Sequence, residues 1–328
     1  MDLSVVVPCY NEEESLAELH RRVLAACKAA PLKTFEIILV NDGSRDKTLG
    51  IMQDLVKSDP HVVALNLSRN HGHQLALSAG LAEAKGDYIF VLDADLQDPP
   101  ELLTPMLERA KKGGIDVIYG QRAARQGETW FKLFCAKAFY RVLSFLSETE
   151  IPENVGDFRL MSRRVLDTLL SMPEQQRFIR GMIAWIGFKQ EAFLYERDAR
   201  YAGVTKYPFL KLISFAFDAI ASFSIRPLRI AIPFAVFGAF LAGVLGLGAV
   251  YSHFTGGTIT GWTSLACIIT FFASLQLLCI ALIGEYVGRM YIEVKRRPLF
   301  IVADIIRGPK PAAKKPAATK KAPAKKAR

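Results

Sequence analysis

The chain lacks the marks of a disulfide scaffold, a zinc protein or a disordered polymer. Its five cysteines, Cys9, Cys27, Cys135, Cys267 and Cys279, are odd in number and include no C-x-x-C pair. That excludes a paired framework and fits free thiols in a reducing compartment. Charged residues make up only 23% of 328, against 51% hydrophobic, so intrinsic disorder is excluded. The opening MDLSVVVP has neither the basic start nor the long apolar run of a signal peptide. It reads as a strand that stays in the cytosol. Neither G-x-G-x-x-G nor G-x-x-x-x-G-K-[ST] follows that strand, which disfavours a dinucleotide dehydrogenase and a P-loop ATPase.

Acidic residues are missing from 309–328, which holds eight of the basic ones; the net charge of +10 falls to +2 without it. A body so near neutrality is a poor general polyanion binder. The Lys/Ala/Pro tail reads as a disordered, solvated extension. Anionic headgroups come ahead of nucleic acid as its contact, and no specific nucleic-acid partner is expected.

Charge is also missing from 230–253 and 262–284. A helix of 24 residues is roughly 36 Å long, enough for a ~30 Å hydrocarbon core. The linker 254–261 is short and uncharged. Arg226 and Arg229 precede the first span; Arg289, Lys295, Arg296 and Arg297 follow the second. Basic flanks stay inside, so the sequence predicts an integral membrane protein with a two-helix hairpin at 230–284 and both termini cytoplasmic. Two spans are too few for an inverted-repeat transporter. Residues 208–229 read as an interfacial amphipathic segment, with an ordinary core helix an equal alternative for 208–224. Residues 285–308 read as a cytosolic juxtamembrane segment.

Residues 1–207 form the expected cytosolic domain. Apolar runs at 3–9, 35–40, 62–67, 88–92 and 116–119 alternate with helical patterns at 13–29, 46–57, 73–84 and 100–112. Such alternation predicts an α/β fold, with a mostly parallel sheet between helices and ligands at the carboxyl ends of the strands. Polar clusters sit at those ends: Pro8 to Glu12, Asn41 to Ser44, Ser68 to Asn70, and Asp93-Ala94-Asp95. The last carries the strongest signal. On an extended backbone, carboxylates at i and i+2 point to one side. Placed after a buried strand and beside a diphosphate, two hard oxygen ligands suit Mg²⁺ or Mn²⁺. His71-Gly72-His73 reads as loop and helix start rather than a metal pair. Trp130, Phe131 and Phe134 share a helix face and read as packing rather than a stacking box.

These motifs, VVVPCYNEEESL at 5–16, VNDGSRDKT at 40–48, LDADLQDPPE at 92–101, RQGETW at 125–130, NVGDFRLMSRRV at 154–165 and IGEYVGRMYIEVKRRP at 283–298, resemble family 2 glycosyltransferases of the GT-A fold. More narrowly, the chain is similar to polyprenyl-phosphate glycosyltransferases of the dolichol-phosphate mannose synthase and bactoprenol glucosyltransferase types. The resemblance spans about 3–305; only the basic tail departs from it.

It implies a nucleotide-sugar donor, a polyprenyl phosphate acceptor, a lipid bilayer at a bacterial inner membrane, and a homo-oligomer, with a tetramer the form considered. It implies that Pro8, Tyr10, Asn11, Glu12, Asp42, Asp93 and Gln97 bind the donor and that Asp93 and Asp95 hold the metal; Arg69 at the third strand's end is a further donor-site candidate from its position. Arg122, Arg125, Arg200 and Lys206 would meet the acceptor phosphate, the last two within an R-x-x-G-x-[ST]-K pattern that also holds Tyr201 and Gly203. Asp157 and Asp95 are the catalytic candidates, with Arg159 beside Asp157 and Arg177 between this segment and the membrane. A phosphate monoester is already largely dianionic at neutral pH, so Asp157 is expected to position the sugar or acceptor at least as much as it takes a proton.

The expected reaction is inverting, metal-dependent transfer of a hexose, glucose from UDP-glucose foremost, to polyprenyl phosphate. Mannose from GDP-mannose, N-acetylhexosamine or aminoarabinose are alternatives. A processive synthase would carry Q-x-x-R-W; here Gln175-Gln176-Arg177-Phe178 does not fit. A non-catalytic membrane-anchored binding protein is disfavoured by the intact acidic motifs.

Overall fold

The computed structural model of the protein describes residues 1–122, 155–196 and 261–308, with scattered positions between 228 and 255. The sheet has eight strands: β1 Leu3–Cys9, β2 Phe35–Asn41, β3 Val62–Leu67, β4 Tyr88–Val91, β5 Val117–Arg122, β6 Val155–Ser162, β7 Gln190–Tyr195 and β8 Val302–Arg307. Their order is β7-β5-β6-β4-β1-β2-β3-β8. The pairs β1–β2, β1–β4, β2–β3 and β5–β7 are parallel. The antiparallel pairs are β4–β6, β5–β6 and β3–β8.

Helices α1 (Leu16–Ala29), α2 (Thr48–Ser58), α3 (His73–Glu83), α4 (Leu103–Gly113), α5 (Arg163–Ser171) and α6 (Ile179–Ile186) flank the sheet. The apolar runs are continuous because both faces of the sheet are covered. Val5, Val7, Ile37 and Leu39 enter one core with Leu16 and Leu19 of α1, Met52 of α2 and Met106 of α4. The alternating Val6, Ile38 and Val40 enter the other, with Leu77 of α3, Leu166 of α5 and Met182 of α6. Gly80 lets α3 press onto the sheet: a Cβ there would lie 2.5 Å from Val6 Cγ1.

Several boundaries move, for physical reasons. Helix α1 begins at Leu16 rather than residue 13, because the amides of Glu12 and Glu13 donate to the side chains of Thr48, at the start of α2, and Asp46, just before it, instead of opening a helix. Strand β4 ends at Val91, and Ala94 and Asp95 lie in a turn, so the extended backbone expected across Asp93–Asp95 is not what forms. Strands β6, β7 and β8 add to the five that the apolar runs predict.

The uncharged run expected at 262–284 belongs to a longer helix, α7 (Trp262–Lys295), of 34 residues. Within it Phe271–Lys295 is the helix among the described residues long and apolar enough to cross a membrane, and none of its most apolar stretch is buried in the protein. The helix stops where Arg296 turns left-handed (φ 47°) ahead of Arg297-Pro298, since proline cannot continue it. The expected juxtamembrane stretch 285–308 thus contains the end of α7 and then β8, which returns to the domain and pairs with β3. The interfacial segment, most of the first expected span and the basic tail lie outside the described residues.

Candidate active site

The chain runs from β1 to β2 to β3 on one side of β1, then crosses back to β4 on the other. That reversal opens a crevice at the carboxyl ends of β1 and β4, where open α/β sheets bind ligands. Strand β6 is antiparallel to β4, so its beginning meets the end of β4. Val91, the last residue of β4, pairs with Arg159, and the ligand atoms of Asp93 and Asp157, two residues further along each segment, lie within 4.8 Å of each other.

The loops along this edge are bound to one another. Asn11, at φ 55°, donates its N–H to Ser44 Oγ at 3.0 Å and accepts from the Arg45 N–H at 2.9 Å. Asp42 is buried and accepts the N–H groups of His71 and Gly72 at 2.7 and 3.0 Å. Burial nevertheless pushes its pKa up against those two bonds. Gly43 (φ 64°) allows the β3–α3 loop to close in, since a Cβ there would lie 2.5 Å from the Asn70 nitrogen. Pro8 is buried in β1 opposite Val40, whereas Tyr10 and Arg69 are exposed at the rim.

Asp157 is the centre of the site and only 2% exposed. Its carboxylate accepts from His73 Nε2 at 3.0 Å, Gln74 Nε2 at 2.9 Å and Arg180 Nε at 2.9 Å. Arg159 lies 3.8 Å away and donates to the Gly156 carbonyl at 2.9 Å. Burial opposes ionisation of Asp157, but Arg180, His73 and Arg159 outweigh it and hold the carboxyl well below the usual range. Burial likewise opposes a charged His73, yet its bond to Asp157 and the charge of Asp93 raise it to about 9. Burial of the Arg159 guanidinium brings it down to about 10.

Asp93 is placed differently. Its Oδ1 is buried without a hydrogen-bond partner and stands 3.6 Å from His73 Nε2. Burial pushes its pKa up to about 6, with His73 working the other way. Ligand atoms of His73, Asp93 and Asp157 all lie within 4.8 Å of one another, the one such metal-competent group among the described residues. Asp95 stands on the adjoining turn and accepts the Gln97 N–H at 3.2 Å. Between them Leu96 is buried yet has φ 60°, a conformation that leucine rarely adopts outside constrained functional loops. Asp98, fully buried, accepts the Tyr195 hydroxyl at 2.5 Å and so ties the acidic turn to β7.

Arg122, at the end of β5, lies against Gly156: a Cβ on that glycine would come 2.8 Å from Nη2. It therefore packs beside the residue that precedes Asp157. Arg177 instead donates to the Leu169 and Met172 carbonyls at 3.0 and 2.7 Å and caps α5. Arg125, Arg200, Tyr201, Gly203, Lys206, Trp130, Phe131 and Phe134 lie outside the described residues. His73 does open α3, as the sequence reading has it, but its side chain also bridges the two aspartates. Gln74 and Arg180 escaped sequence reading. Their partners lie 83 and 23 residues away, so no local spacing marks them.

A family model described as Glycosyl transferase family 2 matches residues 4–170. The SfII prophage-derived bactoprenol glucosyl transferase of Shigella flexneri is 38% identical over 309 residues, covering 94% of this chain and 99% of its own. The uncharacterized glycosyltransferase YkcC of Bacillus subtilis is 44% identical over 308 residues, covering 91% and 92%. Among solved structures, glucosyl-3-phosphoglycerate synthase from Mycobacterium tuberculosis, in complex with Mn²⁺, UDP-glucose and phosphoglyceric acid, aligns at TM-score 0.43 and 20% identity over 67% of this chain and 77% of that one.

Proposed function

The chain belongs to glycosyl transferase family 2 and is a glycosyltransferase, and we propose that it transfers glucose from UDP-glucose to a polyprenyl phosphate at the cytosolic face of a membrane, with inversion. The observation that carries this reading is the pairing of Asp93, whose buried Oδ1 has no hydrogen-bond partner, with the caged anion of Asp157 at the sheet's crevice. Nearly full-length similarity to a protein named bactoprenol glucosyl transferase supports the acceptor class. The long apolar helix α7, tied to the same sheet through β8, supports a reaction at a bilayer.

The residues present fit a divalent cation centred on Asp93, whose Oδ1 has no hydrogen-bond partner. His73 and Asp157 lie within ligand reach of it but would have to give up the bond between them to join; Asp95, on the adjoining turn, is the second carboxylate we propose. Bound there, Mg²⁺ or Mn²⁺ would offset the charge that builds on a diphosphate leaving group.

The remaining work belongs to the chain itself. Pro8, Tyr10, Asn11, Glu12, Asp42, Arg69 and Gln97 line the donor side, and Arg122, Arg125, Arg200 and Lys206 supply cations for the acceptor phosphate. An acceptor phosphate oxygen attacks the anomeric carbon, the bond from that carbon to the diphosphate breaks, and the electron pair leaves with UDP. The acceptor is largely a dianion at neutral pH, so no strong base is needed. Asp157 is suited to orientation: its oxygens already accept from cations, and its low pKa makes it a weak base. The test is incubation of radiolabelled UDP-glucose, and in parallel GDP-mannose, with the full chain, undecaprenyl phosphate and Mg²⁺. Label extracted into organic solvent from UDP-glucose supports the reading; label only from GDP-mannose moves the sugar, and none from either defeats it.

A further inference from the structure

The cage around Asp157 is joined through residues 175–180 to the foot of α7. Glu293, in the last turn of that helix, accepts the Gln175 backbone N–H on both carboxylate oxygens, at 2.9 and 3.1 Å. Next in sequence, Gln176 accepts from Arg289, which also pairs with Glu285. Arg177 then pins the segment to the end of α5. The Ile179 N–H donates to Gln74 Oε1 at 3.0 Å, and the amide of that same Gln74 holds Asp157. Arg180 completes the path by donating to Asp157 and to the Val155 carbonyl.

Two features make this path more than incidental packing. Glu285 and Glu293 are the acidic residues of α7. Glu285 is answered by Arg289 one turn along the helix, whereas Glu293 holds a backbone amide 118 residues away. The connecting stretch also has little slack: five residues of extended chain reach at most about 18 Å. The foot of α7 is held a second time by β8, where the Ser68 N–H donates to the Ile301 carbonyl at 2.9 Å and Arg307 pairs with Glu83 at the far end of α3. Helix α3 begins with His73 and Gln74, both in the cage.

Resting on the function proposed above, we propose that Glu293 is a positioning residue for the acceptor step. Its grip on the Gln175 amide sets the height of Arg180 and Asp157 relative to the bilayer, so that a phosphate anchored in lipid meets the sugar carbon in line.

The experiment uses the full chain in lipid nanodiscs, comparing Glu293→Ala and Glu293→Gln with wild type. The alanine variant should lower kcat for transfer from UDP-glucose to undecaprenyl phosphate about ten- to a hundredfold while leaving the KM for UDP-glucose within about twofold, as a misplaced reacting group does. The glutamine variant keeps an acceptor oxygen and should recover most of the rate. Amide exchange in the alanine variant should quicken at 175–176 and also at 155–159. Wild-type kcat in the alanine variant would overturn the proposal. So would exchange confined to 175–176, or a joint fall of kcat, donor affinity and Tm that glutamine does not rescue. Coupled exchange in a protein whose wild type transfers no sugar to lipid supports the link and overturns the function reading instead.

Discussion

Asp93 and Asp157 both reach the imidazole of His73, at 3.6 and 3.0 Å, yet their surroundings drive them apart. Asp157 has guanidinium groups from α6 and β6 and an amide from α3; Asp93 Oδ1 has no hydrogen-bond partner. One carboxylate is held well below its ordinary pKa and the other is pushed up to about 6. Position along the crevice does not separate them, since their ligand atoms lie within 4.8 Å of each other. The identity of the neighbours does. A buried anion hydrogen-bonded to several cations becomes a fixed structural charge, whereas one with a single, longer contact to His73 keeps affinity for a cation from outside.

The sharpest way to break this contrast is Asp93→Asn. Turnover should fall about 10²–10³-fold, as when one stabiliser of a leaving charge is removed. Metal titration of the residual rate should lose its saturation. If Asp93→Asn kept wild-type turnover, the two carboxylates would not divide the work as described.

Asp157→Asn should act first on the fold. It leaves Arg159 buried without its anion, and breaking such a pair costs about 3–5 kcal/mol. Denaturant unfolding of the full chain measures this loss. The folded fraction should retain measurable transfer with a changed pH profile. Complete inactivity with donor and acceptor binding intact would make Asp157 an obligatory base.

The pH dependence of stability supplies the subtlest separation. Asp93 has its folded pKa raised from 3.8 to about 6, so its ionisation weakens the fold increasingly as pH climbs from 3.8 through 6. His73, raised from 6.5 to about 9, contributes stability that is full below 6.5 and lost as pH rises through 9. Asp157 is depressed, so its contribution is present above 3.8 and lost as pH falls below that value. The Tm of metal-free protein should therefore rise as pH is lowered from about 8 to about 5 and fall again below about 4. Asp93→Asn should flatten the limb between about 4 and 6 and gain stability at pH 7, while Asp157→Asn flattens the acid limb and, by releasing His73, the limb above 6.5. Parallel shifts of both variants at every pH would erase the distinction.

The parallel strands β1 to β4 were legible because a strand buried on both faces writes itself as an unbroken Val/Ile/Leu run. Strand β6 hides behind Asp157 and Arg159 within its own span, and its place between β4 and β5 depends on pairing across distant segments. Strand β7 is a partly exposed edge with weak patterning, and β8 follows α7, where basic flanking residues suggested only a juxtamembrane stretch. In the site, Asp93 and the loop residues announced themselves at strand ends, and Asp157 and Arg159 came through resemblance. His73 was read correctly as a helix start, but its bridging role depends on the register of β4 with β6, which no spacing in the sequence encodes.

Strand β8 also has a consequence for how the molecule is made. Synthesis proceeds from the N-terminus, so the ribosome delivers residues 302–307 only after the whole of α7 has been polymerised. Until then β3 ends the sheet with its backbone groups open to any passing strand. On the membrane reading proposed above, insertion of α7 and completion of the catalytic domain become successive stages of one biogenesis, and a nascent chain stalled between them would carry an aggregation-prone edge.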